Sequence, residues 1–128
     1  MPNSDFCNIN KPVSDQKCIF CAICRGEKDE GEEILYRDKD ITVFKDNQPR
    51  TPIHLLITPN KHYLDYNEMM EKEPHLLEKI GKVVKRMVDK LGLKGKWYTW
   101  GFHCGGKQSV HHIHAQLLAG MKPDELVL

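Results

Sequence analysis

Ser109-Val110-His111-His112-Ile113-His114-Ala115-Gln116-Leu117-Leu118 is the stretch on which the reading of the chain turns. In an extended strand successive side chains point to opposite faces. His112, His114 and Gln116 then line one face, and Ile113, Ala115 and Leu117 the other. A half-buried strand ordinarily sets solvated charges or hydroxyls opposite its apolar residues, whereas this one sets two imidazoles and an amide. Imidazole titrates close to neutrality, so such a row can hold a metal, shuttle protons or attack an electrophile. A histidine-rich edge strand washed by solvent is the blander reading. Three aligned polar positions beside the turn Gly105-Gly106-Lys107-Gln108-Ser109 favour chemistry. His111 falls on the core-facing side and is expected in packing or at the rim.

The chain has 128 residues, which fits one domain able to bury about two thirds of its unfolded surface. Acidic and basic residues are interspersed with a net charge of +1, so composition predicts neither nucleic-acid nor membrane binding. Residues 1–16 carry Pro, Asn, Ser and Asp without periodicity and are expected to form a flexible leader to a single domain over 17–128. No apolar run approaches membrane-spanning length, and the polar start lacks the apolar segment of a secretory signal. A cytoplasmic location, or a nuclear one, is therefore expected. Five cysteines is an odd number, which favours thiols or zinc over disulfides.

Working outward, Cys18-Ile19-Phe20-Cys21-Ala22-Ile23-Cys24 reads as one or two helical turns ending at Gly26. The spacing of Cys18 and Cys21 lets both thiolates grip one tetrahedral ion, but supplies only half a site. Equally, the three cysteines serve as small buried apolar residues of a helix face. Ile34 to Tyr36 and Ile41 to Phe44 read as a hairpin, and His54 to Pro59 as a third, more buried strand. Asp46, at the end of the second strand, is suited to forming a turn or to accepting hydrogen bonds from a ribose diol. Asn60 to Met70 is a loop or short helix, with Lys61 and His62 as solvated surface. From Pro74 to Leu91 apolar residues recur at helical spacing, closed by Gly92, which predicts the one long helix, with His75 on its surface. Trp97 to His103 reads as a fourth strand, turning back into the fifth. The fold class is α+β with an antiparallel sheet.

The ordered series Cys18-Ile19-Phe20-Cys21, Phe44-Lys45-Asp46, His54 to Pro59 with Lys61-His62, the long helix, and Gln108 to His114 resembles the histidine triad (HIT) superfamily over residues 18 to 120. The resemblance implies a five-stranded antiparallel sheet with one long and one short helix, in a homodimer whose sheets join into one, with a purine nucleotide bound on each protomer. It implies His114 as the nucleophile that becomes transiently nucleotidylated, His112 as the first triad histidine and His54 as a remote histidine orienting the site. Ser109 and Gln108 match phosphate and leaving-group contacts, Asp46 the ribose ligand, and Phe20, Ile23 and Leu56 the purine pocket. Gln116 stands at the third triad position, where most hydrolase members have histidine; His-x-His-x-Gln resembles the nucleotidyltransferase branch. An amide cannot titrate near neutrality to protonate a leaving group. Members with a similar CxxC hold a structural zinc, which maps to Cys18, Cys21, His54 and His112 and is not required for the chemistry.

The expected function is hydrolysis of nucleoside phosphoramidates or related nucleotidyl conjugates at the α-phosphorus through His114. Transfer of the nucleotidyl group to another acceptor is the alternative that Gln116 suggests. A nucleotide-sensing dimer without useful turnover, and a metal hydrolase built on His103, His111, His112 and His114, are the remaining readings.

Overall fold

The computed structural model describes residues 18–26, 33–105 and 110–122. The leader 1–16, Gln108 and Ser109 lie outside the described residues. The elements run α1 (Ile19–Cys24), β1 (Ile34–Arg37), β2 (Ile41–Lys45), β3 (Ile53–Pro59), α2 (Tyr66–Lys72), α3 (His75–Lys90), β4 (Tyr98–Phe102) and β5 (Ala115–Ala119). The strands form one antiparallel sheet in the order β1-β2-β3-β5-β4. Four of the five strands and the long helix stand where the sequence predicts them.

Two expectations need correction. A second short helix, α2, occupies the loop-or-helix segment; Asp65 Oδ1 accepts the Glu68 N–H at 2.9 Å and caps it. The fifth strand begins at Ala115, so Val110 to His114 is an irregular approach to it. Alternation nevertheless persists back to His112. Ile113, Ala115, Leu117 and Ala119 join the main core, while His112, His114 and Gln116 are buried on the other side. His111 is exposed at the rim, not packed toward the core.

α3 supplies the helical side of the main core. Leu76, Ile80, Val83, Val84, Met87 and Val88 form its buried stripe against β2, β3 and β5. The helix ends in a Schellman turn: Gly92, at φ 68°, donates to Asp89 O at 3.3 Å and Leu93 to Val88 O at 2.9 Å. At roughly 1.5–3 kcal/mol for each fully buried side chain, this stripe contributes on the order of ten kcal/mol of gross apolar burial.

The opposite face is covered thinly. α1 has six residues and packs Phe20 and Ile23 on Phe44 and Leu56. Such a helix is too short to persist alone. It is fixed by Cys18 Sγ accepting the Cys21 N–H at 3.5 Å, and by Arg37 Nη2 donating to Ile23 O at 2.9 Å. The space left beside α1 holds the site.

Candidate active site and metal-binding cluster

A cavity of about 470 Å³ opens beside α1 over β2, β3 and β5. Ile19, Phe20, Phe44 and Leu56 give it an apolar wall; Asp46, Arg50, His114 and Gln116 bring polar groups into it. Of the expected nucleotide contacts, Phe20, Leu56 and Asp46 line this space. Ile23 does not, being buried within the α1 cluster at 1% exposure. Asp46 also forms the turn anticipated for it, with Oδ1 accepting the Gln48 N–H at 2.8 Å. Arg50 and Ile19 were not singled out from sequence; neither belongs to a recognisable spacing.

His114 is 4% exposed. Its Nδ1 lies 2.8 Å from the His112 carbonyl. A carbonyl only accepts, so Nδ1 carries the proton and Nε2 carries the lone pair. Burial holds the imidazole below its ordinary pKa, against the raising effect of that carbonyl and of Asp46. The ring of Phe20 meets His114 edge-on at 5.0 Å and 83°. A neutral, oriented imidazole with its lone pair on Nε2 is the form a nucleophile requires.

Gln116 lies in a chain of hydrogen bonds whose direction is set by a backbone amide. Arg50 N–H donates to His54 Nδ1 at 3.1 Å. His54 therefore carries its proton on Nε2, which donates to Gln116 Oε1 at 2.7 Å and lies 3.4 Å from Asp46 Oδ2. Gln116 Nε2 in turn donates to His103 Nδ1 at 2.8 Å. The register explains the meeting: Gly101 of β4 lies opposite Gln116, and His103 is two residues further on the same face. His103 was assigned no role from sequence. Its even offset from Gly101 was the available signal.

The metal-ligand set differs from the one expected. Cys18, Cys21, His62 and His112 cluster, all buried, with ligand atoms within 4.8 Å of one another. His54 is not among them. It opens β3, whereas His112 Nε2 donates to the carbonyl of Pro59 at the far end, 2.8 Å away; five residues of strand separate the ends by roughly 17 Å. His62, expected on the surface, is only 7% exposed. The neighbouring Tyr63 carbonyl accepts the Ile113 N–H at 2.7 Å, pinning His62 beside His112.

With its proton on Nε2, His112 aims the Nδ1 lone pair at the cluster. That nitrogen lies 3.5 Å from Cys18 Sγ, 3.3 Å from Cys21 Sγ and 3.2 Å from His62 Nδ1, and Cys21 Sγ lies 3.8 Å from His62 Nδ1. Ligands at tetrahedral zinc distances stand about 3.3–3.8 Å apart. The four positions fit zinc in geometry, but Cys21 is disulfide-bonded here, against the expectation of free thiols, and ligates only once reduced; the Pro59 carbonyl supplies the outer hydrogen bond that orients a ligating histidine. Burial pushes His62 down to about 4 and raises the Cys18 thiol, and burial first, with the charges of His62, His114 and Arg25 adding to it, pushes His112 down to about 3. Both histidines are thereby neutral, as metal ligands must be.

The sequence family described as "Scavenger mRNA decapping enzyme C-term binding" matches residues 17–124. A Danio rerio protein named adenosine 5'-monophosphoramidase HINT3 is 32% identical over 124 residues, covering 91% of this chain and 76% of its own length. The chain belongs to the HIT superfamily. A HIT-like protein of Buchnera aphidicola is 32% identical over 96 residues, 73% of this chain and 86% of that one. A HIT family hydrolase from Clostridium thermocellum superposes with a TM-score of 0.78 at 32% identity, covering 87% of this chain and 96% of that chain. The HIT fold is thus common to this chain and a HIT family hydrolase. Among the described residues no helix is long and apolar enough to cross a membrane.

Proposed function

We propose that this HIT protein is a purine nucleotide-binding hydrolase that cleaves nucleoside phosphoramidates or related nucleotidyl conjugates at the α-phosphorus. The observation carrying this reading is His114, whose Nδ1–H is tied to the His112 carbonyl while the ring borders a nucleotide-sized cavity. Nε2 attacks phosphorus, an N–P bond forms, and the bond to the leaving group breaks with its electron pair; an amine leaving group takes its proton from solvent, and an oxyanion leaves without one. Water then attacks the nucleotidyl-histidine, returning the electron pair to Nε2 and its own proton to solvent.

Phe20 and Leu56 serve the purine side, with Ile23 packed behind them in the α1 cluster. Asp46 Oδ2, already directed toward His54, accepts from the ribose diol. His112 orients His114 through its carbonyl, and His54 orients Gln116. Ser109 and Gln108 are assigned to the phosphates by resemblance. The relative from Danio rerio, named as a monophosphoramidase, supports the reaction class.

Zinc is assigned to Cys18, Cys21, His62 and His112 in the protein whose Cys21 disulfide has been reduced to the thiolate; when bound, it would tie α1 to the segment entering β5 and leave His114 outside its shell. Cys18→Ser should lose one equivalent of zinc by elemental analysis of the reduced protein. The outer edge of β4, where Trp97 and Trp100 are each 38% exposed, is proposed as the homodimer seam. Sedimentation equilibrium tests it.

The deciding experiment incubates wild type and His114→Ala with an adenosine phosphoramidate, following amine release and acid-stable or acid-labile nucleotidyl-protein by mass spectrometry. An adduct and release confined to wild type support the reading; release undiminished in the variant overturns it. An adduct that persists until an acceptor is added would favour the transferase alternative, which the amide at Gln116 keeps in play.

A further inference from the structure

Resting on the nucleotidyl-histidine reading, we infer that the site is built for a leaving group that departs as an oxyanion and is met by Arg50, rather than for an amine that must gain a proton. The reasoning begins from which groups beside His114 can act as acids. Gln116 does not titrate. His54 is committed at both nitrogens: Nδ1 accepts from the Arg50 amide, and Nε2–H donates to Gln116. That bond fixes the amide with its NH2 toward His103. The Arg50 guanidinium, also donor only, lies with Nη2 3.4 Å from the same His103 Nδ1.

Two donors therefore converge on His103 Nδ1, which must be a lone pair. A proton added there would face an amide N–H and a guanidinium. His103 is accordingly held as the neutral Nε2–H tautomer, and its part is to position Gln116 and Arg50. His114 spends Nδ1–H on a carbonyl and presents Nε2 as the attacking lone pair. Among these groups none is an acid for a departing amine.

A cation is present instead. Arg50 lines the cavity with His114 and Gln116, and among the described residues its guanidinium is paired with no carboxylate. Lys45, the other cation of the wall, is engaged by Glu33 at 2.9 Å. A guanidinium presents a fork of donors suited to phosphate and carboxylate oxygens. The bond balance agrees with this choice. When Nε2 of His114 attacks a nucleotidyl anhydride, the P–O bond breaks and the electron pair stays on a phosphate or carboxylate oxygen that is stable without a proton. When it attacks a phosphoramidate, the P–N bond cannot release a neutral amine until the nitrogen acquires a proton.

The test measures kcat/KM of the full-length protein from pH 5.5 to 8.5 with three adenylyl probes. These are diadenosine triphosphate, whose leaving group is a phosphate anion, acetyl adenylate, whose leaving group is a carboxylate, and an adenosine tryptamine phosphoramidate. At least one oxyanion probe should exceed the amine by about tenfold or more near neutrality, and whichever does so identifies the anion. Arg50→Ala should cost that probe about tenfold more than it costs the amine, mainly in kcat/KM. Gln116→His should raise amine turnover and give it an acid-favoured pH profile that wild type lacks. Faster amine release in wild type, or equal losses on all probes in Arg50→Ala, overturns the inference while leaving the His114 adduct, and hence the proposed function, intact. No adduct from any probe overturns both.

Discussion

On one face of the sheet α3 lays Ile80, Val83, Val84, Met87 and Val88 against the apolar sides of β2, β3 and β5; on the other, the six-residue α1 covers imidazoles, an amide and two cysteines. Both faces are buried, by unlike means. The first is close-packed hydrocarbon, stabilised in proportion to the area withdrawn from water. The second buries polar atoms, each of which has to find a partner. His112 finds the Pro59 carbonyl, His114 the His112 carbonyl, and Gln116 both His54 and His103. His62 Nε2 has no hydrogen-bond partner among the described residues. The α3 face tolerates changes that conserve volume. The α1 face tolerates only those that conserve donors and acceptors.

The sharpest way to break this division is to remove the nucleophile. His114→Ala should lower kcat/KM by at least about a thousandfold and abolish the nucleotidyl adduct, while the far-ultraviolet circular dichroism stays that of wild type. Loss of the fold instead would mean that the polar face carries stability as well as chemistry. Met87→Ala is the reciprocal test. Met87 is fully buried at 0% exposure, so truncation should cost about 2–5 kcal/mol in urea unfolding, with the adduct still forming from whatever remains folded.

The α3 face was legible because a 3.6-residue period survives in any context; Leu76 to Leu91 could be read as one helix and its buried side predicted. The α1 face was legible only in part. Alternation placed His112, His114 and Gln116 together, although β5 itself starts later. Pairing of distant residues across the sheet was not readable from one strand at a time. Thus His103 reaches Gln116 through the β4–β5 register, and His62 reaches His112 through the Tyr63–Ile113 hydrogen bond. Substituting His54 for His62 in the metal set failed for the same reason, since length along β3 separates His54 from Pro59. Asp65-Tyr66-Asn67-Glu68 carried a capping signal for α2 that went unused.

A third outcome concerns pH. Burial lowers the His114 pKa below the ordinary 6.5. The nucleophile is then still neutral at a pH where an exposed imidazole is half protonated, and activity falls only once acid passes the lowered value. The acid limb of kcat/KM, measured on a substrate whose leaving group does not titrate, should accordingly lie below pH 6.5. A limb at or above that value would mean that the thin face admits water to His114 and that α1 does not seal it.

The smallest effect is expected at Phe20, which belongs both to the apolar cluster under α1 and to the wall beside His114. Its ring packs on Phe44 at 5.3 Å and 77° and on His114 at 5.0 Å and 83°. Phe20→Leu keeps most of the apolar area and removes the ring edges. Edge-to-face contacts are worth about 0.5–1.5 kcal/mol beyond burial, so kcat/KM should fall about two- to tenfold. The urea midpoint should move by less than in Met87→Ala, because α1 buries far less than α3. A larger loss of stability than of activity would place Phe20 with the hydrocarbon core, and the boundary between the two faces would then run through α1 rather than through the sheet.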